Sequence, residues 1–274
     1  MHRLCRIVLT VWLTLLPVMG LTQDTGALDR LMQVLRISDT IEIMQEEGRR
    51  YGADVAAEML PGADRDSWDD TVMRIHDPER MQRLIRQGFD QSLSAREMQD
   101  IVNFYSSDAG AEIIALEISA RRAFLEAEIE DNARARYAGE LPEDSRLRGQ
   151  VDEMIAESDL VDRNVTGAMN STIMFYRGMM DGGELEMTVE DMLADLWSQE
   201  DAFRSDSESW LGGFFLMAYA PLSPEQMEDF LIFWQSDAGT AFNMALFKSF
   251  DRMYEELSYL MGQAVAQHMQ SEKL

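Results

Sequence analysis

The eighteen residues from Leu93 to Gly110, LSAREMQDIVNFYSSDAG, return 129 positions later as LSPEQMEDFLIFWQSDAG, Leu222 to Gly239, with nine identities. Trp68 and Trp197 keep the same offset. A period this long lies far above the roughly 20–50 residues of a solenoid unit and reads as a duplicated domain. Any fold for this chain has to use one local design twice.

That design is helix punctuation. Ser94 with Glu97 three positions on forms a capping box, and Ser223 with Gln226 repeats it. Pro224 adds a residue suited to the first helical position. Leu93 and Leu222 stand just outside the caps, spaced from Met98 and Met227 as a hydrophobic staple. The apolar residues then follow helical spacing: Met98, Ile101, Val102, Tyr105 in one segment and Met227, Phe230, Leu231, Trp234 in the other. Ser107 and Ser236 read as fresh N-caps, each leading to Gly110 or Gly239. These signals predict helices over 27–50, 66–76, 78–91, 94–105 and 108–137. They continue over 147–179, 188–201, 206–219, 223–234 and 237–270.

The expected fold is all-α: two tandem copies of a helical bundle of about five helices each, over residues 24–140 and 145–270. The boundary is expected at the Gly139–Asp144 stretch. Ser38-Asp39 and Ser158-Asp159 suggest an offset of 120 in the early part of each copy. Nine residues would then be gained before Trp197, and Asp181-Gly182-Gly183-Glu184 offers a place for them.

Chemistry is scarce. A serine nucleophile needs a base, and no histidine or lysine accompanies either SDAG segment, so Ser107 and Ser236 are read as caps. His76 and His268 lack a glutamate three residues before them, which removes the Glu-x-x-His pairs of a two-metal bundle. The Asp181–Glu186 loop lacks the alternating acids of a calcium loop. The cluster Glu126, Glu128, Glu130, Asp131 reads as a solvated helix face. The aromatic pairs Phe104/Tyr105 and Phe233/Trp234 read as core. No catalytic residue, cofactor or metal ligand is assigned.

The N-terminus reads as an export signal. Arg3 and Arg6 precede an apolar run from Ile7 to Leu16, and a cut between Gly20 and Leu21 follows. Residues 1–20 are therefore set apart, and a periplasmic location is expected, with no transmembrane span once they are removed. Cys5 is the chain's only cysteine, so disulfide stapling and thiolate sites are excluded. The formal charge is −26, and residues 151–274 carry 23 acidic against 6 basic side chains. Nucleic acid is an unsuitable partner for such a surface.

With those residues in view, both segments resemble an uncharacterised bacterial envelope family, the domain of unknown function 2059. The resemblance rests on Ser94, Glu97, Phe104, Tyr105, Ser107 and Gly110, and on Ser223, Gln226, Phe233, Trp234, Ser236 and Gly239. The chain departs from that pattern in its two copies and in Trp234 for tyrosine. It also has Asp108 and Asp237 for proline, and Ala111 and Thr240 for lysine. The resemblance implies a periplasmic helical protein and carries over no activity. The function expected is a non-enzymatic protein-interaction module, an adaptor or weak holdase whose partners are other envelope proteins. A cation-binding protein using surface carboxylates and a carboxylate-based hydrolase are the alternatives. Methionine, at 21 residues, reads as core filling or as an adaptable groove. Oligomeric state is not legible.

Overall fold

With so few prolines and glycines to interrupt it, the chain winds into helix almost throughout. The computed structural model describes residues 25–140 and 146–272. The first half contains α1 (Thr25–Val34), α2 (Ile37–Met59), α3 (Arg65–Ile75), α4 (Pro78–Ser92), α5 (Ala95–Tyr105), α6 (Asp108–Ala123) and α7 (Ala127–Ala135). A π-helical turn at Arg136–Glu140 follows. The second half contains α8 (Arg146–Glu157), α9 (Leu160–Asp181), α10 (Val189–Tyr219), α11 (Pro224–Gln235) and α12 (Asp237–Glu272). No strand occurs among the described residues, and the fold is all-α. The export segment with its Gly20–Leu21 bond lies outside them, as does most of the Gly139–Asp144 stretch.

The two signature segments fold alike. The Ser94 hydroxyl accepts the Glu97 N–H at 3.3 Å while the Glu97 carboxylate accepts the Ser94 N–H at 2.7 Å. Ser223 and Gln226 repeat this at 3.2 and 2.8 Å. Ser107 and Ser236 each accept the N–H of Gly110 or Gly239 at 3.1 Å. The glycines are required by the tightness of the turn. A Cβ would stand 2.3 Å from the Phe104 carbonyl oxygen at Gly110 and 2.1 Å from that of Phe233 at Gly239.

Five of the expected helices differ from the sequence expectation. The one expected over 27–50 breaks before Arg36, which takes a left-handed conformation (φ 50°), and then runs on to Met59. The one expected over 147–179 breaks at Asp159 in the same way (φ 51°). Neither break carries a glycine or proline. What each gains is a change of direction that buries Leu35 and Ile37, or Leu160, on the core side. The two breaks are 123 residues apart, against the 120 of the Ser-Asp pairs. The helix expected over 108–137 splits at Phe124–Glu126, where Phe124 turns inward with its ring 5.7 Å from those of Trp210 and Phe214. Conversely, the helices expected over 188–201 and 206–219 are one, α10. Nothing at Ser205–Ser207 stops a helix, and Asp206 is held by Arg134 at 2.7 Å.

The halves interlock. α12 lies along α9, where Gly178 and Gly262 let the backbones touch; a Cβ on either would come within 2.2 Å of a carbonyl oxygen opposite. α12 also packs along α4, and α6 and α7 pack along α10, whose C-terminal part lies 129 residues after α4. Contact i with j answered by j with i is the signature of a two-fold relation. At its centre Phe104 and Phe233, corresponding residues, stack with centroids 3.9 Å apart and planes within 2°. One apolar core runs through both halves, from Ile85 and Phe89 to Phe230 and Met253.

Candidate binding cleft

Residues from both halves of the chain, several of them at positions that match in the sequence repeat, enclose an open cleft of about 640 Å³. Its walls pair Ile37 with Leu160, Tyr105 with Trp234, and Ile118 with Phe247. The C-terminal part of α10 closes one end with Trp210, Phe214, Phe215 and Tyr219. Trp210 and Phe214 stack at 4.9 Å, as do Phe215 and Tyr219 at 5.5 Å, so these rings form a fixed surface.

The polar groups break the symmetry. On α6 the wall carries Glu117 and Arg121; the matching positions on α12 are Leu246 and Phe250. At the next pair the pattern reverses, with Ile114 on α6 and Asn243 on α12. Glu117 accepts a hydrogen bond from the Tyr219 hydroxyl at 2.6 Å. Burial among the aromatic rings pushes its carboxyl up to about 7, and the Tyr219 bond opposes only part of that. Arg121 is already engaged, donating to both oxygens of Glu47 at 3.0 and 2.8 Å and to the Tyr254 hydroxyl at 3.3 Å. Asp251 reaches the cleft because Gly167 has no side chain; a Cβ there would lie 2.8 Å from its Oδ1. Burial, then the nearby charge of Glu255, raises the Asp251 carboxyl to about 6 against the pull of Arg163. Asn243 is 6% exposed, and its amide makes no hydrogen bond to any described residue.

The residues singled out in the sequence are elsewhere. Ser94, Glu97, Ser107, Gly110, Ser223, Gln226, Ser236 and Gly239 stand at helix starts, and none of them lines the cleft. Tyr105 and Trp234 are buried, as read, yet they also form cleft wall, which the core reading missed. Trp234 donates its indole N–H to Ser158 at 2.6 Å. His76 ends α3 with Nδ1 3.0 Å from the Val72 carbonyl. Sequence reasoning passed over Glu117, Arg121, Asn243 and Asp251. A signal existed: Glu117 and Arg121 interrupt an apolar stripe at two positions whose counterparts 129 residues later, Leu246 and Phe250, are apolar. No group of three or more His, Cys, Asp or Glu converges as a metal site among the described residues. None of their helices is long and apolar enough to cross a membrane.

Residues 79–143 match one family model. Its description is an uncharacterised protein conserved in bacteria, the domain of unknown function 2059. The match spans about a quarter of the chain. It takes in Leu93–Gly110 and the cleft residues Glu117 and Arg121, but not Leu222–Gly239. No curated protein and no solved structure matches the chain.

Proposed function

We propose that the protein is a non-enzymatic binding module of the bacterial envelope, exported by its N-terminal segment. In this reading it is built from two tandem copies of one helical unit, and its binding element is the cleft between them. The observation that carries the reading is the cleft itself, about 640 Å³ with stacked aromatic walls and a few polar groups. That size falls within the roughly 300–1,000 Å³ of small-ligand sites. In this reading the ligand is a small molecule with an apolar body. The test is titration of the mature protein with an uncharged hydrophobic fluorophore, following quenching of Trp210 and Trp234. Saturable binding that is lost in Phe214→Asp supports the reading. Absence of binding to the folded wild-type protein sinks it.

A second observation favours the adaptor role. Trp68 is buried, with its indole N–H on the Gly52 carbonyl at 2.7 Å and His268 of α12 packed edge-on at 4.9 Å. Its counterpart Trp197 is 63% exposed, and Val189 and Leu193 on the same face of α10 are exposed with it. Crosslinking in the periplasm, with purification and identification of trapped proteins, tests this role. A stoichiometric partner lost in Trp197→Ala supports it, and an unchanged or empty trap rejects it.

A further inference from the structure

We infer that the cleft recognises an organic cation, an amine or quaternary ammonium group carried on an apolar body, with Glu117, Asp251 and Asn243 as the groups that receive its head. This rests on the cleft being a ligand site, and it names the class of ligand. Three features of the lining converge on it.

The first is an imbalance of charge. Arg121 is the cleft's cationic side chain, and both oxygens of Glu47 already occupy it. Glu117 and Asp251 form no ion pair with any described arginine or lysine, and Glu117 has one hydrogen bond, from Tyr219. Two carboxyls thus face one apolar space without an ion pair, Arg163 acting on Asp251 only from a distance. In water such groups would be solvated; here aromatic rings take the place of much of that water, and a bound cation would restore what burial removes.

The second is Asn243. The residue is 6% exposed and lines the cleft, and its amide has no protein hydrogen-bond partner, so the contact it keeps with solvent is through the cleft. The matching position on the other wall is Ile114, which shows that the fold itself asks only for an apolar residue there. An amide oxygen at the wall accepts a hydrogen bond from an ammonium or from a polar group beside it.

The third is the aromatic lining. Trp210, Phe214 and Phe250 line the same space as the carboxyls. Ring faces attract cations, tryptophan most strongly, and combined cages of rings and carboxylates are the usual means of holding quaternary ammonium groups. An anionic head would instead meet two carboxyls. A wholly apolar ligand would leave Glu117, Asp251 and Asn243 buried without compensation.

The experiment uses the mature full chain and three amphiphiles of equal tail length, each below its micelle concentration. They are decyltrimethylammonium, an uncharged decyl glycol ether and decyl sulfonate, titrated by calorimetry at high ionic strength to suppress attraction to the anionic surface. The expected result is that the ammonium compound binds about ten-fold or more tighter than the ether, a step equivalent to one good cation–π or charge contact. That advantage disappears in Glu117→Gln/Asp251→Asn, whereas ether binding persists and certifies an intact cleft. It survives in Glu190→Gln/Asp191→Asn, which removes two exposed carboxylates of α10. If the ether binds as tightly as the ammonium, or both double variants lose the advantage equally, the cation assignment is overturned while the cleft remains a ligand site. If neither compound binds the wild-type protein, the cleft reading falls with it.

Discussion

Gly110 and Gly239 show how little room single residues have in this fold. Each lies in the first turn of a helix that starts directly after the preceding one ends, and the atoms a Cβ would strike are backbone, which cannot turn aside. Gly110→Ala and Gly239→Ala are expected to cost at least about 2 kcal/mol, in the range of locally strained substitutions. Ser107→Ala, which removes only a capping oxygen, should cost about 1 kcal/mol. Urea denaturation of the three variants ranks them, and an alanine at Gly110 as stable as wild type would refute the steric account. Glu117 gives a different residue-scale expectation. Its carboxyl rises from 4.5 to about 7 on folding, so the folded state holds its proton more tightly than the unfolded chain. Stability contributed by this group is full below pH 4.5 and is lost as pH rises toward 7, by roughly 3 kcal/mol. In Glu117→Gln that decline should flatten over the same window. Denaturant midpoints measured from pH 4.5 to 7.5 decide it.

At the scale of the helix, starts were easier to read than stops. Ser94, Ser107, Ser223 and Ser236 announce their helices because capping depends on side chains only two or three residues away. The breaks at Arg36 and Asp159 depend on what the core requires on either side, and an arginine or aspartate in a left-handed conformation leaves no mark in the sequence. The same holds for Phe124, whose inward turn is set by Trp210 and Phe214 some ninety residues away. The interruption of the α6 stripe was legible, but that it lines a cleft was not, for the same reason. Glu117 looks like any other acid on a helix until α10 places Tyr219 against it. Arg36 supports a stability test. A left-handed L-residue other than glycine costs roughly 1–2 kcal/mol, of which glycine recovers part against its own greater chain entropy. Arg36→Gly should therefore raise the melting temperature, and raise it more than Asp159→Gly, because aspartate tolerates this conformation better. Thermal unfolding followed by circular dichroism checks both. A fall on Arg36→Gly would show that its exposed pairing with Asp39 matters more than backbone strain.

For the whole molecule, what matters is that neither half closes its own core. α4 is covered by α12 and α10 by α6 and α7, so a chain ending near residue 140 would leave Ile85 and Phe89 without the second half's cover. Residues 24–140 expressed alone are expected to lack a cooperative unfolding transition. Mixing them with residues 145–270 should restore one. A stable, monomeric first half would show that the interlock is dispensable. The surface acts in a contrary sense: with a net charge of −26, the compact state repels itself, and moderate salt should stabilise it by screening.

The stacked rings of Phe104 and Phe233 mark the axis about which the two halves are arranged, and the cleft lies beside it. An assembly of two identical chains about such an axis would have to carry a carboxylate on both faces of its cavity or on neither. Any change in one face would be copied in the other. Covalent continuity lifts that restriction. Glu117 can face a cavity where the matching position carries Leu246, and Asn243 can stand where the other wall has Ile114, so the cleft's two sides differ in chemistry.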